Sequence, residues 1–439
     1  MKTFISVVAI VLFFNLTILA QPLYFPPVTG SNWDTMNISN LGWCQPKIDS
    51  LYNYLETKNT KGFVVLKDGK IVLEKYFQTF TVDSLWYWAS AAKSLTSFLV
   101  GMAQEQGLID ITQPTSTYLG AGFTNCTSAQ ESLITVLDQL RMTTGLDDMV
   151  PDPDCFDPLC LNYLTTPGNR WAYHNAPYTL LHDVIANASG SSINQFTYSQ
   201  LSQMIGMQGL WALTGNTRTY YSNVRGMARF GLLMLANGIW NADTLLADQI
   251  YFNNSINTSQ NLNESYGYLW WLNGKSSFMV PGIQFTFQGS LIPNAPADMY
   301  AALGKNDQKI YVVPSQRMVV VRMGNAADSI NPALSDFDDE LWLKLSLLGC
   351  NTSLDQSNND TPSLHYIIQN NELHIWMDGN STFWKEALLL NSLGQVVAKT
   401  FSNNENAVTI KIENLAKGIY EFIGTDARRQ RVQLKIAVY

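Results

Sequence analysis

Ser90 and Lys93 stand three residues apart in the string Ser90-Ala-Ala-Lys93. On a helix that spacing puts both side chains on one face, so the amine reaches the hydroxyl. A serine hydroxyl is a weak nucleophile until a base takes its proton. A lysine is such a base only where burial or a neighbouring cation holds its pKa down. Ala91 and Ala92 leave room for close backbone approach, and the start of a helix favours developing negative charge. Taken alone the tetrapeptide is unspecific, because a serine N-cap followed by a solvated lysine gives the same string.

A second element follows in Pro167-Gly-Asn-Arg-Trp-Ala-Tyr173-His-Asn175. Tyr-x-Asn sets a phenol and an amide on the same side of an extended turn. The phenol relays a proton to a leaving group, and the amide of Asn175 holds substrate and lysine. The tripeptide recurs at Tyr221-Ser222-Asn223 and Tyr251-Phe252-Asn253, so its surroundings carry the signal. His174 reads as a packing or hydrogen-bonding neighbour of Tyr173 rather than a base. Asp147 and Asp148 read as solvated loop acids rather than a glycosidase pair.

These groups need a scaffold. Gly62–Lys67 and Ile71–Tyr76 flank Asp68-Gly69, a hairpin signal. Leu95, Phe98, Leu99 and Met102 recur at helical spacing, which predicts a helix over Ser90–Gln106 closed by Gly107. Further helices are expected over Tyr178–Ser189 and Val224–Asn237, and late strands over Gln308–Pro314 and Arg317–Met323. Strands, then helices, then strands predict an α/β or α+β fold, the early hairpin and late strands sharing one sheet with helices packed on it.

The chain has 439 residues, is 12% aromatic and carries a net charge of −8. That length suggests two to three units. An acidic chain without a basic run lacks the footprint for nucleic acid. Met1–Ala20 joins Lys2 to an apolar run over Phe4–Phe14 and has the anatomy of a secretory signal peptide. No later apolar run is long enough to insert stably in a membrane. Of the five cysteines, Cys155 and Cys160 in a Pro/Asp-rich loop form the best candidate pair. Cys44, Cys126 and Cys350 stay unassigned, and an odd count leaves at least one thiol free. No Cys or His cluster calls for a metal, and no cofactor is expected.

The ordered set Ser90-Ala-Ala-Lys93, Leu140-Arg-Met-Thr-Thr-Gly-Leu-Asp147, Pro167-Gly…Trp171-Ala-Tyr173-His-Asn175 and Tyr178-Thr-Leu-Leu181 resembles the class C β-lactamase and penicillin-binding-protein superfamily, closest to its esterase and amide-hydrolase branches. The resemblance covers roughly residues 45–345. It implies an α/β fold, a β-lactamase-like antiparallel sheet flanked by helices plus a helical subdomain. It implies an acyl-enzyme on Ser90, Lys93 as its base and Tyr173 in proton transfer. The family's third element, Lys-Thr-Gly or His-x-Gly, is replaced by Ala302-Leu303-Gly304. Gly304 would let backbone approach substrate, and the Lys305 amide would join that of Ser90 as an oxyanion hole. A missing cation at Ala302 turns the reading away from a substrate carboxylate and towards an ester or amide. The alternatives are a β-lactamase or D,D-peptidase, and a catalytically silent surface-binding protein.

Composition shifts at 351–363, which reads as a linker. Seven short strand-like runs follow over 364–439 and predict a small C-terminal β-sandwich. Asn391-Ser-Leu-Gly-Gln-Val-Val397, Leu415-Ala-Lys-Gly-Ile-Tyr420 and Gln433–Tyr439 resemble the type IX secretion C-terminal sorting domain. That resemblance implies engagement of the secretion machinery, export through the periplasm to the cell surface or beyond, and cleavage of the module as one outcome. The expected organisation is signal peptide 1–20, hydrolase domain 21–350, linker 351–363 and sorting domain 364–439, acting on a small-molecule ester, amide or peptide-like substrate.

Overall fold

A computed structural model of the chain describes residues 22–328 and 334–350. Beyond residue 363 it describes 364–369, 371–377, 384–391, 396–400, 407–413, 415, 418–426 and 431–438. The signal-peptide span and the linker lie outside the described residues. The chain divides into two compact units, 1–350 and 351–439.

In the first unit the hairpin forms as β1 (Thr60–Lys67) and β2 (Lys70–Tyr76). Asp68 and Gly69 both take positive φ, 52° and 82°, as the tight hairpin turn requires. Three short strands come next: β3 (Trp86–Tyr87), β4 (Gly209–Thr214) and β5 (Thr217–Ser222), in the spatial order β3-β5-β4. The late strands are β6 (Trp271–Leu272), β7 (Tyr300–Gly304), β8 (Gln308–Val313) and β9 (Met318–Gly324). They join the hairpin in a six-stranded sheet of order β2-β1-β9-β8-β7-β6, each pairing antiparallel.

β8 and β9 are buried along their whole length, which is why Val319, Val320 and Val321 run without a polar break. Each fully buried side chain of this kind contributes ~1.5–3 kcal/mol. Helices cover both faces. α1 (Gln45–Thr57) and α5 (Asp336–Ser346) meet through stacked Tyr54 and Phe337, and Lys309 of β8 bonds Asp338 of α5. α2 (Ala92–Glu105) and α4 (Val224–Leu235) lie on the other face, where Gly231 of α4 abuts Ile310. Lys309 and Ile310 are neighbours, so they point to opposite faces of the strand. α3 (Asn175–Ser189) belongs to a helical region between α2 and β4. It begins three residues earlier than the apolar pattern predicts, so Asn175 sits on its first turn. α4 ends at Leu235, two residues short of expectation.

A disulfide joins Cys44 at the start of α1 to Cys350 at the end of the unit. Cys155–Cys160 is the second bridge and Cys126 is free.

The second unit contains seven strands among the described residues. β10 (Leu364–Gln369), β11 (Glu372–Met377) and β14 (Ala407–Lys411) form one sheet. β12 (Trp384–Leu390), β13 (Val396–Thr400), β15 (Gly418–Asp426) and β16 (Arg431–Val438) form the other, in the order β13-β12-β15-β16. Alternate residues bury their side chains: Leu373 and Ile375, Ala387 and Leu389, Val408 and Ile410, Tyr420 and Phe422. This is the period-2 pattern of a sandwich.

Candidate active site

Ser90 lies in a 3-10 turn, Ala89–Ala91, that runs directly into α2. Ala89 takes φ 47°, a conformation that costs a residue with a Cβ ~1–2 kcal/mol. Neighbouring bonds hold it there. The Trp88 amide donates to the Tyr220 carbonyl at 2.8 Å, and the Thr219 hydroxyl donates to the Ala89 carbonyl at 3.2 Å. The sharp turn thus hangs on β5, and Ser90 stays half-buried rather than enclosed.

Lys93 Nζ lies 3.0 Å from Ser90 Oγ. It donates to Asn175 Oδ1 at 2.7 Å, and Asn175 Nδ2 donates to Asp154 Oδ1 at 2.6 Å. Lys93 is 3% exposed. Burial pushes its amine down from 10.5 to about 7, and the Asp154 charge pulls the other way. The rings of Tyr178 and Tyr173 lie 4.3 Å and 4.9 Å from Nζ. At neutral pH a large fraction of the lysine is an uncharged amine, which keeps a lone pair for a proton.

Tyr173 stacks on Trp271 at a centroid distance of 5.6 Å. Its hydroxyl oxygen is cut off from water and makes no well-formed hydrogen bond. Burial drives the phenol well above its ordinary value, and the nearby Ser90 hydroxyl and Trp271 offset only part of that. Tyr173 is therefore a neutral phenol, able to pass a proton but not to serve as a standing base.

Gly304 ends β7 against the nucleophile turn. A Cβ there would meet the Trp88 carbonyl oxygen at 2.5 Å, the Ala91 nitrogen at 2.9 Å and the Ser90 nitrogen at 3.2 Å. The register pairs Gly304 with Gln308 and Ala302 with Ile310. Lys305 thus falls beyond the strand, in the turn Lys305–Asp307, with its side chain exposed. That turn is clamped from behind. Arg322 is fully buried and donates to the carbonyls of Asn306, Asp307, Lys58 and Asn325 and to the Thr60 hydroxyl. Asp307 accepts from Ser335 Oγ at 2.7 Å and pairs with Lys309 at 3.2 Å.

Ser90, Lys93, Tyr173, Asn175 and the backbone at Gly304 therefore converge, while the Lys305 side chain does not join them. The other Tyr-x-Asn strings do different work. Asn223 caps α4 through the Gly226 amide, and the Tyr251 hydroxyl donates to the Ser97 carbonyl. Burial lowers His174 to about 4, and neither of its ring nitrogens has a partner, so it packs and makes no hydrogen bond. Asp148 pairs with Arg170 at 2.6 Å, and Asp147 accepts from the Met149 amide at 3.0 Å. Both serve the loop. Asp154 was not singled out by sequence, because nothing in the aspartate-rich Pro151–Pro158 stretch distinguishes it from Asp152 or Asp157. Among the described residues no group of three or more His, Cys, Asp or Glu side chains is arranged to hold a metal ion, and no helix is long and apolar enough to cross a membrane.

The Beta-lactamase family model matches residues 60–341, and that of the secretion system C-terminal sorting domain matches residues 369–438. An uncharacterized protein of Alkalihalophilus pseudofirmus is 22% identical over 306 residues, which is 60% of this chain and 83% of that protein. The D-alanyl-D-alanine-carboxypeptidase/endopeptidase AmpH of Escherichia coli is 28% identical over 141 residues, 29% of this chain and 36% of that one. A penicillin-binding protein homologue from Caulobacter crescentus has a TM-score of 0.53 at 12% identity, over 69% of this chain and 97% of its own, a likeness of fold.

Proposed function

The chain belongs to the Beta-lactamase family and carries a type IX secretion sorting domain that directs it to the cell surface or outside, and on that premise we propose that it is a serine hydrolase that opens an ester or amide through an acyl-enzyme on Ser90. The observation that carries this reading is the buried Lys93 amine 3.0 Å from the Ser90 hydroxyl.

An uncharged lysine has two N–H donors and one lone pair. Asn175 Oδ1 takes a donor, which leaves the lone pair for the Ser90 proton. As Oγ bonds to the substrate carbonyl carbon, that proton moves to Nζ and the carbonyl becomes an oxyanion. The amides of Ser90 and Lys305 are the donors for it, each typically worth ~3–4 kcal/mol of barrier. Collapse breaks the bond to the leaving group, which takes a proton from Lys93 through the Tyr173 phenol. Water then attacks the acyl-serine with Lys93 as base, releasing the acid and restoring Ser90.

Ala302 supplies no cation for a substrate carboxylate, and Lys305 sits past the strand end. That favours an ester or amide without a required carboxylate over a β-lactam or peptidoglycan stem. A fluorophosphonate should attach to the wild-type chain, with the mass increment on Ser90. Ser90→Ala should lose the adduct and fall to background on short-chain nitrophenyl esters. A Ser90→Ala protein with the wild-type esterase rate would sink the reading. Labelling by a fluorescent penicillin would instead favour the D,D-peptidase alternative.

A further inference from the structure

We infer that Asp154 is a positioning residue of this site: its carboxylate fixes which way round the Asn175 amide lies, and so aims the Lys93 amine at Ser90. The inference rests on the hydrolase reading above.

An amide has a donor end and an acceptor end, whereas a carboxylate only accepts. Asn175 stands between Lys93 and Asp154, with Oδ1 on the lysine at 2.7 Å and Nδ2 on the aspartate at 2.6 Å. The reverse orientation would set carbonyl against carboxylate and aim the amide N–H at the amine, where only the lone pair needed for Ser90 could accept it. Asp154 therefore leaves one orientation. An Asn at that position would accept either, and half of the choice would turn the lysine lone pair away from Ser90.

The carboxylate comes from a braced loop. The Asp154 amide donates to Asp152 Oδ1 at 3.0 Å, and Asp152 Oδ2 accepts from Asn216 at 2.8 Å. The Ala176 amide on α3 donates to the Pro153 carbonyl at 3.2 Å. The next residue, Cys155, is bridged to Cys160. None of these anchors uses the Asn175 side chain, as a positioning role needs.

Around Lys93 the tyrosines and His182 carry no charge at neutral pH, and Arg218, whose charge acts on Tyr178 and His182, is paired with Asp183 at 2.7 Å. Tyr173 and Tyr178 are held protonated by burial, and His182, bonded to Thr96 at 2.8 Å behind them, is held neutral. On β7 the face of Gly304 also carries Ala302 and Tyr300, whose hydroxyl donates to the Met234 carbonyl and is held protonated by burial, with exposed Lys305 beyond. Asp154 is the one carboxylate that acts on the lysine among the described residues.

The test is the rate of Ser90 acylation by a fluorophosphonate as a function of pH, on the full chain, for wild type, Asp154→Asn and Asp154→Glu. Removing the negative charge makes the lysine easier to deprotonate. The acid limb of the Asp154→Asn profile should move down by about one pH unit while its plateau drops about tenfold. Asp154→Glu, which keeps the charge, should leave the limb in place and recover part of the plateau. An Asp154→Asn profile equal to wild type, or lower at every pH with the limb unmoved, overturns the assignment. A wild-type chain that forms no Ser90 adduct overturns the hydrolase reading and this inference with it; an acylated wild type isolates Asp154.

Discussion

Gly304 meets Trp88 backbone to backbone. A Cβ on Gly304 would lie 2.5 Å from the Trp88 carbonyl oxygen. The end of β7 and the turn that carries Ser90 are thus held at a separation only a glycine permits. Neither partner atom is the tip of a flexible side chain, so neither can rotate aside.

Gly304→Ala tests that contact. The added methyl must push the Ser90 turn away from β7 or bend the strand end. The overpacking should cost about 1–3 kcal/mol in a urea titration. Because it moves reacting groups, kcat/KM for a nitrophenyl ester should fall ~100-fold, more than the stability loss alone explains. An unchanged kcat/KM would remove β7 from the reaction.

The Lys93 amine sits at about 7 in the folded chain against an ordinary 10.5. Between those values the unfolded chain binds the extra proton, so stability rises as pH is raised through that window and is least favoured by this group below it. Acylation should rise through about pH 7 as the amine loses its proton. Lys93→Met removes both effects. Melting curves at about pH 6 and pH 9 should show a higher Tm at the acid end and a flatter pH slope, with acylation abolished.

Tyr173 gives a contrasting case. Its hydroxyl is buried without a well-formed hydrogen bond. Tyr173→Phe therefore strands no partner, and losing an unpaired buried hydroxyl should leave the unfolding free energy unchanged or raise it. Turnover should nonetheless drop ~10²-fold or more, the range of a lost proton relay. Equal turnover would assign the proton path elsewhere.

Much of the scaffold was legible because its signals are local. The Asp68-Gly69 turn, the helical spacing after Ser90 and the alternation beyond residue 363 are each set by the nearest few residues. α1 and α5 were not read, because the polar residues among their apolar positions blur the period. The start of α3 was missed because Pro177 hides a first turn in which Asn175 is already helical. Of the site, the spacing of Ser90 and Lys93 and the Tyr173–Asn175 pair were visible, but not what each touches.

The sequence by itself determined which chemical groups are present, that a serine and a lysine share one helical face, and that the chain carries an export signal at its C-terminal end. The tertiary structure alone decided that Lys93 is buried, that Asp154 rather than Asp152 faces Asn175, that Arg322 spends its guanidinium on the turn after Gly304, and that Cys44 finds Cys350. Side-chain spacing is fixed by bonds a few residues long. Desolvation and pairing depend on what the rest of the chain brings alongside, and no local pattern encodes that.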